Sequence, residues 1–247
     1  MKISIITVVY NGERYIKDCI DSVIHQSYQD IEYIIIDGCS TDSTLQTITK
    51  YKRYITHFVS ERDNGLYDAI NKGIKIATGE VVGILNADDT LVSKDVIQEI
   101  ANAFNNDEEI QAIYGDLNYI NPIKNTIVRK WRSYRAGAKD IEKGWMPAHP
   151  TLYIKTDLFR KYGHYALDMG TAADYDLILR YFHTHNIKAT YLSMLMVSMR
   201  IGGVSNKNFA SIWRAMEMDY KALKRNKIPN ALLVLVKKKL NKFSQFC

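Results

Sequence analysis

Val81-Val82-Gly83-Ile84-Leu85-Asn86-Ala87-Asp88-Asp89 carries an apolar strand straight into two adjacent carboxylates, and helix-compatible sequence begins near Ser93. In an open α/β sheet, ligands gather at the carboxyl ends of the strands, so the position of these acids matters as much as their type. Neighbouring Asp side chains repel unless a cation, a hydrogen-bond donor or water compensates them. A hard cation such as Mg²⁺ or Mn²⁺, arriving with a phosphate ligand, is a natural partner. Asp also favours turns and helix N-caps, so the stretch alone leaves a structural reading open.

Upstream the same arrangement recurs. Ile3 to Val9 is a continuous apolar run that suits a strand buried on both faces, and it ends in the turn Tyr10-Asn11-Gly12-Glu13. Tyr15, Ile16, Cys19, Ile20, Val23 and Ile24 then recur at helical spacing. Tyr33 to Ile36 ends at Asp37-Gly38-Cys39-Ser40-Thr41-Asp42, and a helix reaches about Tyr51 with Thr41 or Asp42 as its cap. His57 to Val59 is a short strand closed by Ser60-Glu61-Arg62-Asp63-Asn64-Gly65, with Leu66 to Ala77 helical and Glu80 to Leu85 the fourth strand. This βαβαβαβ alternation predicts a mostly parallel central sheet with helices on both faces. It also brings Asp37, then Glu61 with Asp63, then Asp88 with Asp89 to one sheet edge. A crevice so lined is costly unless cations or donors fill it.

Downstream the pattern is looser. A helix is expected over about Ser93 to Phe104, and strands over Ile110 to Tyr114 and Leu117 to Ile120 on either side of Gly115-Asp116. Thr126 to Tyr134 reads as a basic strand, Arg135 to Trp145 as a mobile loop, and His149 to Ile154 as strand. Thr156 to Tyr162 is a short helix, Gly170 to Leu177 opens another, and Met194 to Met199 is a strand ending at Arg200-Ile201-Gly202-Gly203-Val204-Ser205.

The chain has 247 residues and a net charge of +6, with 47% hydrophobic and 24% charged residues, the composition of an ordinary soluble globular protein. The charge is uneven. From Lys207 onward ten basic residues face only Glu217 and Asp219, which suits an anionic membrane surface or nucleic acid. Cys19, Cys39 and Cys247 are odd in number and lack metal-ligand spacing, which fits a reducing compartment. Met1-Lys2-Ile3 enters a strand pattern without a cleavage site, and no apolar run approaches the roughly 20 residues of a membrane span. A cytoplasmic location is therefore expected. G-x-G-x-x-G and G-x-x-x-x-G-K-[ST] are both absent, which argues against dehydrogenase and P-loop chemistry.

Taken together, the motifs resemble family 2 of the inverting nucleotide-sugar glycosyltransferases, which have the GT-A fold, in the variants that build bacterial surface polysaccharide. The resemblance rests on Ile5-Ile6-Thr7-Val8-Val9-Tyr10-Asn11 with Tyr15-Ile16, and on Asp37-Gly38-Cys39-Ser40-Thr41-Asp42-Ser43-Thr44. It continues through Ser60-Glu61-Arg62-Asp63-Asn64-Gly65-Leu66-Tyr67-Asp68-Ala69-Ile70-Asn71-Lys72-Gly73, Thr78-Gly79-Glu80 and Leu85-Asn86-Ala87-Asp88-Asp89. Beyond residue 110 it is looser, resting on Asp174-Tyr175-Asp176-Leu177 and on Arg200 with Gly202-Gly203.

The resemblance implies a GT-A domain over residues 1–206, with a nucleotide-sugar-binding half (1–110), an acceptor half (111–206), and a basic helical tail (207–247). It implies a UDP- or dTDP-sugar donor, a Mn²⁺ or Mg²⁺ cofactor, and a glycan or polyprenyl-diphosphate-linked sugar acceptor. Thr7, Val9 and Glu13 would line the nucleotide pocket, and Asp37 would accept from a base N–H. Asp63, Lys72, Asn86 and Asp88 would lie near the nucleotide or sugar, and Asp89 would hold the metal. Asn86 stands where many relatives have Asp. Asp174 would be the catalytic base, with Ala173 replacing the Glu of the family's E-D motif and Asp176 as competitor. A helix N-terminal acid is the bland alternative for Asp174. His149 and Arg200 would contact diphosphate or acceptor, and Trp145 would either stack on a sugar or pack against the sheet.

In the tail, Phe209, Ile212, Trp213 and Met216 recur at helical spacing. Beyond Ile228-Pro229, the run Ala231 to Val236 joins Lys237-Lys238-Lys239-Leu240. This suits an interfacial helix on the inner face of the cytoplasmic membrane, or a surface helix packed on the domain. Nucleic acid is not expected as a partner, because no recognised motif accompanies the basic tail. A sugar-nucleotide pyrophosphorylase would want a glycine-rich basic loop after the first strand. A non-catalytic carbohydrate- or membrane-binding protein on a decayed transferase scaffold is the remaining alternative, against which Asp37, Asp88, Asp89 and Asp174 are all retained.

Overall fold

The computed structural model describes residues 1–201 and 209–243. Gly202-Gly203-Val204-Ser205, Lys207 and Cys247, named above, lie outside them, as do the side chains of Phe209 and Ile212.

The first ninety residues build four parallel strands. They are β1 (Ile3–Val9), β2 (Ile31–Asp37), β3 (His57–Ser60) and β4 (Val81–Ile84), joined by α1 (Ile16–Ile24), α2 (Thr44–Lys50) and α3 (Leu66–Ile76). β1 is buried along its whole length, and its alternation feeds two cores. Ile6 and Val8 face α3, whereas Ile3, Ile5 and Val9 face α1, whose Ile16, Cys19, Ile20 and Val23 form its buried stripe. In α2, Ser43 rather than Thr41 or Asp42 precedes the first turn, yet Asp42 still accepts from the Thr44 N–H at 3.0 Å.

The rest completes a nine-stranded sheet. β5 (Asp89–Leu91) precedes α4 (Val96–Asn106). β6 (Ala112–Asn121), β7 (Thr126–Trp131), α5 (Ala138–Ile141), β8 (Tyr153–Lys155) and α6 (Asp157–Tyr162) follow. α7 (Ala173–Ile178) runs into a π-helical turn, Leu179–Thr184, before β9 (Ala189–Arg200), α8 (Phe209–Arg225) and α9 (Ala231–Phe243). The strand order is β3-β2-β1-β4-β8-β6-β9-β5, with β7 on β6. β8 is antiparallel to both β4 and β6, β9 is parallel to β6, and β5 is antiparallel to β9. The Tyr153 ring of β8 lies flat over Gly83, where any Cβ would come within 2.2 Å of it, so the strand at the centre of the opening motif needs glycine for this close approach.

Several local expectations change. Asp89 opens a strand instead of a helix cap, because β9 offers it a ladder: Asp89 pairs with Met199. The two strands expected around Gly115-Asp116 are one, with its register shifted there against β9. His149–Thr151 is a 3₁₀ turn, with Pro150 fixing it, and strand begins only at Tyr153. The expected loop from Arg135 to Trp145 contains α5. Trp145 is buried against Tyr114 and Phe182, the packing alternative raised above.

The tail packs on the body. Ala222, Leu223, Ile228, Ala231, Val234 and Leu235 share the core cluster of α7. Asn226 donates to the buried Asp176 at 2.9 Å, and Lys238 reaches Asp219 at 2.9 Å.

Candidate active site

Parallel strands deliver their C-terminal turns to one edge, and here Asp37, Asp63 and the Asp88-Asp89 pair all arrive there. Asp37 ends β2 beside Val9. It is fully buried, and its oxygens accept the Ser40 N–H at 3.2 and 3.1 Å and the Ser60 hydroxyl at 2.6 Å. A carboxylate has further lone-pair capacity for one more donor. Asp63 folds back over Gly38, where a Cβ would come within 2.5 Å of its Oδ2, and its Oδ1 accepts the Gly65 N–H. Tyr10, 65% exposed, flanks the same glycine.

Other residues expected to line the nucleotide are tied up differently. Thr7 lies on the α1 side of β1, fully buried, with its hydroxyl 3.1 Å from the Tyr33 hydroxyl and 3.6 Å from Cys19 Sγ. It faces the core and not the sheet edge. Glu13 accepts the Ser43 N–H at 2.9 Å and so joins the first and second turns. Lys72 donates to the Arg62 carbonyl and pairs with Glu61 at 2.8 Å, which raises its pKa; it pins the turn after β3.

The Asp88-Asp89 turn has another character. Asp89 is fully buried, and among the described residues the Asn86 side-chain amide donates to its Oδ2 at 3.1 Å. Asp89 Oδ1 and Asn86 Oδ1 have no hydrogen-bond partner among the described residues. Burial, and then the charge of Asp88, push the Asp89 carboxyl well above the usual carboxylate range. Burial raises half-exposed Asp88 as well, against the pull of Arg200. Arg200, at the end of β9, donates to the Asp88 carbonyl at 3.1 Å and pairs with Asp18 of α1 at 2.7 Å. Cys19, whose thiol burial pushes up to about 12, donates to the Asn86 carbonyl at 3.4 Å. The turn is therefore gripped from both sides, while its oxygens are left open.

Those oxygens suit a cation. Mg²⁺ and Mn²⁺ use one or two protein carboxylates, with substrate phosphate and water completing the shell. Among the described residues no group of three or more His, Cys, Asp or Glu side chains converges to hold a metal.

Asp174 begins α7, accepts the Tyr175 N–H at 2.7 Å and remains half-exposed. Asp176 is instead buried, bonded by Asn226 and close to Arg180. Around Asp174 stands a group of aromatics. Burial, and then the charge of Asp174, holds the Tyr67 phenol well above its ordinary range. Tyr67 stacks on Tyr165, whose hydroxyl is 2.7 Å from His149 Nε2. Asn71 of α3 fixes the Tyr165 backbone by hydrogen bonds of 2.9 and 3.1 Å. Burial lowers the His149 pKa against the field of Asp174. Burial holds the Tyr119 phenol of β6 above its ordinary range, and the charges of Asp89 and Asp174 add to the effect. Arg129 is buried over the Tyr119 ring at 4.6 Å. Tyr10, Tyr67, Tyr119, Tyr165 and Arg129 carried no assigned role in the sequence. Tyr10 and Tyr67 lie inside motifs quoted there, and are the two that pattern reading could have found.

The sequence model described as Glycosyl transferase family 2 matches residues 4–165. The chain belongs to that family. It is a glycosyltransferase with the GT-A fold. A PGL/p-HBAD biosynthesis glycosyltransferase from Mycobacterium bovis is 30% identical over 212 residues, which cover 82% of this chain and 78% of the relative. S. aureus TarS in complex with UDP-GlcNAc is similar in fold, with a TM-score of 0.71 and 19% identity, over 99% of this chain and 73% of TarS. The mannosyltransferase PcManGT from Pyrobaculum calidifontis, solved with GDP-Man and Mn²⁺, gives a TM-score of 0.65 and 16% identity, over 97% of this chain and 69% of that one.

Proposed function

We propose that this glycosyltransferase moves a sugar, with inversion, from a UDP- or dTDP-sugar to a hydroxyl of a lipid-linked glycan in surface-polysaccharide synthesis, at the inner face of the cytoplasmic membrane. The observation that carries the reading is the pair of orphaned oxygens on Asn86 and Asp89, beside partly buried Asp88 in the turn after β4. Residues 1–110 form the donor half, 111–206 the acceptor half, and 207–247 the tail.

Asp37, with Tyr10 and Asp63 nearby, receives the base and ribose; a carboxylate suits the imide N–H of uracil or thymine. Asp89, whose Oδ1 has no described partner, is the residue that would hold Mg²⁺ or Mn²⁺, with the Asn86 side-chain oxygen and the more accessible Asp88 beside it. When bound, the cation would offset the charge of the departing diphosphate. Asp174 takes the proton from the acceptor hydroxyl as its oxygen bonds to the anomeric carbon. The bond from that carbon to the diphosphate oxygen breaks on the opposite face, and its electron pair leaves with the nucleoside diphosphate. One displacement needs one base and no carboxylate nucleophile.

Calorimetric titration with UDP, dTDP and GDP, each with and without Mn²⁺, tests this reading. UDP or dTDP should bind at least about tenfold more tightly with the cation. Folded protein that binds none of the three would overturn the proposal.

A further inference from the structure

Helix α9 is apolar on two opposite sides. Ala231, Val234 and Leu235 are buried in the core, and Lys238 leans inward over the Tyr175 ring, 3.3 Å from its centre. Leu232, Leu233, Val236 and Leu240 point the other way and are 67%, 51%, 55% and 60% exposed. At about 3.6 residues per turn these four fill one continuous stripe, with Lys237 on one flank and Lys239 on the other. α8 extends the surface. Trp213, 73% exposed, lies about two turns from Tyr220 and about three from Lys224 along the same side. Tyr220 and Lys224 share with Leu232 and Leu233 a groove of about 410 Å³.

We propose that this surface docks the enzyme on an anionic lipid bilayer. The α9 stripe enters the boundary between headgroups and acyl chains, Trp213 lies at headgroup level, and Lys224, Lys237 and Lys239 meet anionic headgroups. An apolar stripe bordered by lysines is what partitioning into a negatively charged interface requires. Charge argues against a second copy as the occupant. Symmetric pairing of two stripes would set the lysine flanks of one chain against those of the other, whereas anionic headgroups neutralise both flanks. Of the nearby acids, Asp219 is engaged by Lys238, and Glu217 is exposed on the Trp213 side of α8. Resting on the reading of a membrane-held acceptor, docking here brings the leaflet one helix layer from α7, which carries Asp174.

No helix among the described residues is long and apolar enough to cross a membrane, so attachment by this surface would be peripheral. The test uses the full chain with phosphatidylcholine vesicles, with and without phosphatidylglycerol, read by co-sedimentation and by quenching of Trp213 with brominated lipid. Binding should be about tenfold or more tighter to the anionic vesicles and should weaken with salt. Leu232→Glu with Val236→Glu should abolish it while leaving thermal unfolding and UDP titration unchanged, since both side chains are exposed. Three results would overturn the proposal: no preference for anionic vesicles, binding that survives the double substitution, or a dimer in light scattering that the substitution dissolves. Vesicle binding by a protein that ignores every nucleotide would support docking and overturn the proposed reaction instead.

Discussion

Asp37 and Asp89 stand at strand termini on one sheet edge, both fully buried, and their charges are met in opposite ways. Asp37 is surrounded by protein donors, the Ser40 N–H and the Ser60 hydroxyl. Asp89 has one amide, a second carboxylate beside it and an oxygen with no described partner. Burial alone therefore does not mark a metal-holding acid. What separates the two is how far the described residues complete the electrostatics, nearly fully at Asp37 and only in part at Asp89.

Asp174, partly buried at the start of α7, is a third case. Asp174→Asn should lower turnover about 10³-fold and leave nucleotide affinity unchanged, measured by initial rates beside calorimetry. Undiminished transfer would remove Asp174 as the base.

Next in size is Asp37→Ala, which strands a buried N–H and a hydroxyl and should cost about 2–4 kcal/mol in urea unfolding. If it costs less than Asp89→Ala, the contrast between the two acids fails.

Asp89→Asn should do the reverse without cation, stabilising the fold by roughly 1 kcal/mol or more, because it removes an uncompensated buried charge. The sign follows from linkage. The folded-state pKa of Asp89 is raised, so the folded protein holds this proton where the unfolded chain has lost it. Stability should therefore fall as pH rises from the ordinary Asp value of about 3.9 through the raised one. Thermal melts across that window should show a shallower slope for Asp89→Asn, and UDP with Mn²⁺ should stabilise only the native protein.

The smallest effect is expected for Tyr67→Phe. Losing the hydroxyl near Asp174 should reduce turnover about two- to tenfold with KM little changed, read by initial rates. Unchanged turnover would reduce Tyr67 to packing.

The regular βαβ region could be read from sequence because each strand is paired through a local crossover and each apolar run is long. Ile3–Val9 and Tyr33–Ile36 needed no distant information. Three-residue β5 had no such support: it exists because β9, more than a hundred residues later, pairs with it. The 3₁₀ turn at His149–Thr151 and the continuity of β6 likewise depend on partners remote in sequence. In the site, strand termini gave the positions of Asp37, Asp63, Asp88 and Asp89. The inward direction of Thr7 was not legible, because a strand buried on both faces carries no alternation to orient it. The Tyr67–Tyr165–His149 group was hidden for a related reason. Its members come from α3, the segment before α7 and the turn before β8, and no spacing links them.

The grip of β9 on the Asp88 carbonyl has a practical meaning for exchanging parts between transferases. A chimera cut after α4 would separate the acid turn from the strand that pairs with it and from the guanidinium that joins it to α1. Donor specificity should travel intact only when residues 1–106 move with 189–200, so the natural cassette is discontinuous, two segments enclosing a replaceable middle.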